Sequence, residues 1–123
     1  MRNDKMVWKL WLDDVRNPEV FLTSFYEQDF RVEKYVWAMT VDQAIYYTKL
    51  HGAPNFMALD HDLGYDPSLM RTRTAMEYLH WLVNRYPDSC PKYRCHSSNP
   101  EAAKNMVAFM ESWKKSLESG NDP

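Results

Sequence analysis

The chain has 123 residues, of which 45% are hydrophobic and 15% aromatic, enough apolar side chain to fill the core of one domain. Its formal net charge of −2 and pI of about 6.1 argue against an extended nucleic-acid footprint, which needs a basic face. A small nucleotide or a nucleic-acid end stays compatible, because a metal ion can supply positive charge. Three glycines leave no room for a glycine-rich phosphate loop, and neither GxGxxG nor a Walker A pattern occurs. Met1–Met6 leads into no long apolar run, so neither a signal peptide nor a membrane span is expected. The two cysteines, Cys90 and Cys95, do not form a CxxC pair. Reduced thiols in a cytoplasmic protein are expected rather than a disulfide or a zinc site.

In chain order, Val7–Leu12 is apolar apart from Lys9 and reads as a central strand ending at Asp13-Asp14. Arg16-Asn17-Pro18 turns the chain away, since proline cannot continue a ladder. Residues 19–33 have mixed periodicity, consistent with a short helix over Pro18–Gln28 or an irregular flap. Lys34–Met39 reads as a second strand. Thr40 and Gln43 form a capping-box pattern for a helix reaching about Leu50, stopped by Gly52 and Pro54. Phe56–Leu59 is a third strand, delivering Asp60. A loop is expected from His61 to about Arg71, with Gly64, Asp66 and Pro67 as turn residues. Thr72 or Thr74 opens the next helix, which Tyr86-Pro87-Asp88 ends. Tyr93–His96 is a short fourth strand. Asn99 as cap and Pro100 at the first helical position start a last helix running to about Leu117.

Strands alternating with helices predict an α/β fold with a parallel sheet. Right-handed crossovers favour a doubly wound, flavodoxin-like open sheet of about four strands in the order 2-1-3-4, with flanking helices. Residues 1–118 form one domain in this reading, and 119–123 a frayed tail. In such a sheet ligands bind beyond the carboxyl ends of the strands, where strand order reverses. Asp13, Asp14 and Asp60 are therefore expected to meet there.

The acid at the end of strand 3, the paired acids after strand 1, and Ser97 or Ser98 after strand 4 resemble the receiver domain of bacterial response regulators. Two features depart from that pattern. No fifth strand with its lysine is read, since Lys104, Lys114 and Lys115 fall in the last helix, and His61 and His96 are extra. A closer resemblance is to the cyclic-phosphate processing receiver domain family. It is carried by Leu12-Asp13-Asp14-Val15-Arg16-Asn17-Pro18, by Trp37 to Ile45, by Leu59-Asp60-His61-Asp62-Leu63-Gly64, and by His96-Ser97-Ser98-Asn99-Pro100 with Asn105-Met106. It covers most of the chain; Ala102 stands where a glycine is expected. The resemblance implies processing of cyclic phosphates in RNA repair or nucleotide signalling.

Carboxylates that converge raise one another's pKa and call for a cation. Asp13, Asp14 and Asp60, with Asp62 beside them, are candidate ligands for Mg²⁺ or Mn²⁺, and the hard oxygen donors also suit Ca²⁺. The competing reading makes Asp13 and Asp14 turn residues, and Asp60 and Asp62 loop caps. Opening a cyclic phosphodiester also needs an acid for the leaving oxygen. His96 or His61 is the candidate, with His96 equally readable as structural and the His61 ring expected to point away from its flanking acids. Ser97, Ser98 and Asn99 at the last helix N-terminus offer a phosphate seat, with capping by Asn99 as its ordinary role. Arg16 either clamps a phosphate oxygen or pairs with Asp14. His51 and His80 read as surface or packing residues. Most of Trp8, Trp11, Trp37, Trp81 and Trp113 read as core, as do Met106 and Met110, and Phe21–Phe30 as a lid or base platform.

Three functions follow: a metal-dependent phosphoesterase acting on RNA 2′,3′-cyclic phosphate ends or cyclic nucleotides; a non-catalytic module sequestering a nucleotide or cyclic nucleotide; and a phospho-acceptor receiver with Asp60 as acceptor.

Overall fold

The computed structural model describes residues 7–17 and 35–120. The expected helix or flap over Pro18–Gln28, the aromatic segment Phe21–Phe30 and residues 121–123 of the expected tail lie outside the described residues.

Four short strands form one parallel sheet: β1 (Lys9–Leu12), β2 (Tyr35–Ala38), β3 (Phe56–Leu59) and β6 (Lys92–Cys95), in the order β2-β1-β3-β6. This is the expected order, with β6 as the fourth parallel strand. Leu12 stands level with Ala38 and Leu59, and Leu59 with Cys95. The strand period of two splits the side chains between faces. Leu10, Leu12, Met57 and Leu59 join a main core with residues of all three described helices: α1 (Val41–His51), α2 (Ala75–Arg85) and α3 (Pro100–Gly120). Trp11 and Ala58 form a second, smaller cluster with Tyr35, Trp37 and Phe56.

The helix boundaries follow from local chemistry. Gln43 N donates to Thr40 Oγ1 at 3.0 Å, and the Gln43 side chain reaches back to the amide of Met39, one residue further than the expected box. Gly52 ends α1 at φ 88°, a conformation that suits glycine. Thr74 caps α2, where its amide donates to Glu77 Oε2. Asn99 Oδ1 accepts from the amides of Glu101 and Ala102 at 3.1 and 3.2 Å. The last helix continues through Gly120 rather than stopping near Leu117.

The expected loop from His61 to Arg71 is instead mostly a hairpin. β4 (Asp62–Asp66) pairs antiparallel with β5 (Arg71–Thr74), with a register shift between Asp62 and Tyr65. Gly64 sits in that irregularity at φ 89°. Gly64, Asp66 and Pro67 do act at bends, but within or beside strands. Arg73 ties the hairpin down, 2.7 Å from Glu77 and 3.2 Å from Asp66. No described helix is long and apolar enough to cross a membrane. Cys90 and Cys95 are free thiols.

Candidate functional site

The ladder of the sheet continues one residue beyond its strands. The amide of Asp13 donates to Ala38 O, that of Asp60 to Leu12 O, and that of His96 to Leu59 O, at 2.9 to 3.1 Å. These three residues therefore leave the sheet side by side at its carboxyl edge. Asp14 follows Asp13 in the turn. Asp13, Asp14 and Asp60 each offer a carboxylate oxygen, and these oxygens lie within 4.8 Å of one another.

Asp13 is fully buried and is the most heavily bonded of the three. Its Oδ1 accepts from the amides of Val15 and Arg16, both at 3.0 Å. Its Oδ2 meets Arg16 Nη1 at 3.2 Å and His96 Nε2 at 2.9 Å. Burial alone would push the Asp13 carboxyl up. The hydrogen bonds from His96, the two amides and the Arg16 side chain outweigh it and hold its pKa below the usual 3.8. Asp60 shows the opposite balance. Burial and the nearby charge of Asp13 raise its pKa, and Arg16 Nη1, 3.6 Å from its Oδ1, only partly offsets them. The pair is thus driven apart, with Asp13 the stronger acid.

Two indoles hold the turn that carries the acids. Trp37 Nε1 donates to Asp13 O at 2.7 Å, and Trp11 Nε1 to Arg16 O at 2.8 Å. Trp11 also stacks on His96, with ring centroids 4.4 Å apart and planes 12° apart. Core packing for most of the tryptophans, with base stacking open to any of them, is the expectation from the sequence; this grip on the turn is not part of it. Their signal was available in part: an indole N–H is a donor only, and a buried one needs an acceptor. Which carbonyl it finds depends on the tertiary fold. Trp8 and Trp113 follow the same rule, donating to Gly52 O and Pro87 O at 3.0 Å.

The other candidates divide. Arg16 pairs with Asp13 and Asp60; clamping a phosphate oxygen and pairing with Asp14 are its two expected roles. His96 reaches Asp13, but its side chain is only 2% exposed. Asp62 is not one of the three converging acids: its side chain is 62% exposed and its Oδ1 lies 2.7 Å from His61 Nδ1. The His61 ring therefore turns onto a flanking acid instead of away from both. Ser97 and Asn99 follow His96 at the same edge and are engaged in capping, with Asn99 N donating to Ser97 Oγ at 3.0 Å. Ser98 is exposed. His51 and His80 pack against Trp8 and Phe109. Gly64 comes close to Asp14: a Cβ at that position would lie 3.5 Å from Asp14 Oδ2.

The donor set fits a hard divalent cation. It consists of three carboxylates whose offered oxygens lie within 4.8 Å of one another, with more negative charge than Arg16 balances.

A four-stranded parallel sheet with acids at the carboxyl ends of its two central strands defines a receiver-like α/β domain. The profile of the cyclic-phosphate processing receiver domain matches residues 8–112, and the chain belongs to that family. Comparison with curated proteins and with solved structures gave no significant match.

Proposed function

We propose that this chain is a metal-dependent phosphoesterase that opens a cyclic phosphate, at an RNA 2′,3′-cyclic end or in a cyclic nucleotide. The observation that carries the reading is the meeting of Asp13, Asp14, Asp60 and Arg16 at one sheet edge, in a member of a cyclic-phosphate processing family. Asp13, Asp14 and Asp60 would hold Mg²⁺ or Mn²⁺. Such an ion supplies Lewis acidity toward phosphate and water when bound. The remaining work belongs to the chain. Arg16 presents a planar fork of donors suited to phosphate oxygens. Ser97, Ser98 and Asn99, at the N-terminus of α3, seat the anion where the helix dipole favours it. His96 is a positioning residue: buried against Trp11, it fixes the orientation of Asp13. His61, whose ring is 18% exposed and oriented by Asp62, is the candidate proton donor to the leaving oxygen.

A second reading, sequestration without turnover, is favoured by the same burial of His96, which keeps that imidazole from a bound ligand. Mass spectrometry separates the two. The protein is incubated with Mg²⁺ or Mn²⁺ and a panel of 2′,3′-cyclic phosphate ends and cyclic nucleotides, with Asp60→Asn as control. Metal-dependent ring opening that the variant loses supports the esterase. No turnover, together with protection of one ligand from an added phosphodiesterase, supports the binder.

A further inference from the structure

We propose that the cavity between the β4–β5 hairpin and the start of α1 is a nucleobase subsite selective for guanine. Tyr65 is its stacking platform, and Asp42 and Arg73 read the edge of the base. The proposal rests on the cyclic-phosphate reading above and names the substrate class, a guanine nucleotide.

The cavity measures about 200 Å³, and Asp42, Gly64, Tyr65, Asp66 and Arg73 contribute to its walls. Pockets for drug-sized ligands run to roughly 300–1,000 Å³, so this space suits one ring system rather than a whole nucleotide. It adjoins the acids. Gly64 lines the cavity and also stands against Asp14, where an added Cβ would lie 3.5 Å from Oδ2. A ligand with its phosphate on the acids can therefore reach the cavity past a residue that has no side chain.

One wall is aromatic and faces water. Tyr65 is 62% exposed, and its ring packs on no other ring among the described residues. Val15, next to Asp14, and Met39, next to the Ala38 carbonyl that binds the Asp13 amide, are exposed apolar residues at the same sheet edge. Apolar side chains left in water beside an acidic centre suit a ligand that carries both an anion and an apolar face. A nucleotide does, and its base can stack on a tyrosine.

The edge of the base meets two charged groups. Arg73 Nε donates to Glu77 Oε1 at 2.7 Å and Nη1 to Asp66 Oδ2 at 3.2 Å, which fixes the guanidinium. Its Nη2 faces Asp42 Oδ1 at 3.7 Å, too far for a hydrogen bond. The Asp42 side chain is 81% exposed, so carboxylate acceptors stand beside an N–H donor with a gap between them. Guanine carries the complementary order on one edge: N1–H and N2–H₂ donate, and O6 beside them accepts. Asp42 accepts from the two nitrogens and Arg73 Nη2 donates to O6. Uracil offers one N–H between two carbonyls, which sets an acceptor against the carboxylate. Adenine and cytosine place a ring-nitrogen acceptor beside their amine, so each meets only one carboxylate oxygen favourably.

The probes are GMP and UMP in their 2′,3′- and 3′,5′-cyclic forms and a base-free ribose 2′,3′-cyclic phosphate, each with Mg²⁺. Affinity is read as KM where the ring opens and as Kd where it does not. Wild type should prefer a cyclic GMP to the matching cyclic UMP by at least about ten-fold. Tyr65→Ala should weaken cyclic GMP about ten-fold, leave the base-free probe unchanged, and be rescued by Tyr65→Phe. Asp42→Asn should bring guanine down toward uracil. Equal affinity of wild type for both bases and for the base-free probe overturns the subsite and leaves the cyclic-phosphate reading standing. A preference for uracil overturns the guanine assignment. Parallel weakening of cyclic GMP and the base-free probe in Tyr65→Ala makes Tyr65 merely structural and overturns its role. Binding of none of the probes overturns the cyclic-phosphate reading and this proposal together. The comparison of bases uses wild type alone, so it stands however the variants fold.

Discussion

Asp13→Asn and Asp60→Asn are the same chemical change at two residues of one cluster, and the structure gives them opposite signs in metal-free protein. Asp13 is fully buried and its charge is met by Arg16, His96 and two amides. An asparagine has one acceptor oxygen and turns an NH₂ toward one pair of these donors. Breaking such a buried charged network costs about 3–5 kcal/mol, and lowers the melting temperature on the order of 10 °C. Asp60 is buried with its charge poorly met. Its oxygen lies within 4.8 Å of the other acids, so at an effective dielectric near 20 the repulsion by one of them is at least about 3.5 kcal/mol. The attraction of Arg16 at 3.6 Å is of similar size, but it is shared with Asp13 and softened by solvent. The cost of burial then decides the sign, as the raised pKa shows. Neutralising Asp60 should therefore stabilise the protein.

The pH dependence follows. The stability due to Asp13 is present above the unfolded value of 3.8 and is lost as pH falls through its lower folded value. The contribution of Asp60 is fully present below 3.8 and is lost as pH rises through its raised folded value, so the gain in Asp60→Asn appears at neutral pH and fades in acid. The assay is thermal unfolding by circular dichroism in chelator, at neutral pH and in mild acid. Midpoints shifted in the same direction by both variants at neutral pH would refute the electrostatic account of the cluster.

Further outcomes follow from other contacts. Trp37→Phe removes the 2.7 Å indole donor from Asp13 O and should cost about 1–2 kcal/mol in urea unfolding; an unchanged midpoint would show that the indole does not hold the turn. Gly64→Ala should cost about 1–2 kcal/mol, because φ 89° disfavours a side chain even where the space is adequate; a stability equal to wild type would contradict this. The Cys95 thiol is pushed up to about 11 by burial, so Ellman's reagent at pH 8 should label it far more slowly than a free cysteine. Labelling at the free-thiol rate would mean that the strand edge opens readily.

Much of this architecture could be read from local chemistry. The apolar runs ending at Asp13 and Asp60 located β1 and β3. The caps at Thr40 and Asn99 and the stop at Gly52 placed helix ends, because each satisfies or relieves backbone groups within a few residues. The hairpin escaped for a physical reason. Arg71–Thr74 is polar and makes few core contacts, so no hydrophobic alternation marks it, and Gly64, Asp66 and Pro67 read as loop. Its alternating threonines at 72 and 74 were the available signal. At the site, residue types and strand ends were enough to bring three acids together. They did not show that Arg16 lies on Asp13 and Asp60, that His96 is buried against Trp11, or that Asp62 turns to His61. Those facts depend on side-chain direction and on contacts across more than eighty residues, as for Asp13 and His96.

The central claim is that Asp13, Asp14 and Asp60 form a divalent-cation centre. Crystals soaked in Mn²⁺ test it most directly, with anomalous diffraction recorded near the manganese edge. The account predicts one strong peak at coordination distance from oxygens of all three carboxylates. Peaks only elsewhere on the surface, or none at Mn²⁺ concentrations that saturate binding in solution, would contradict it.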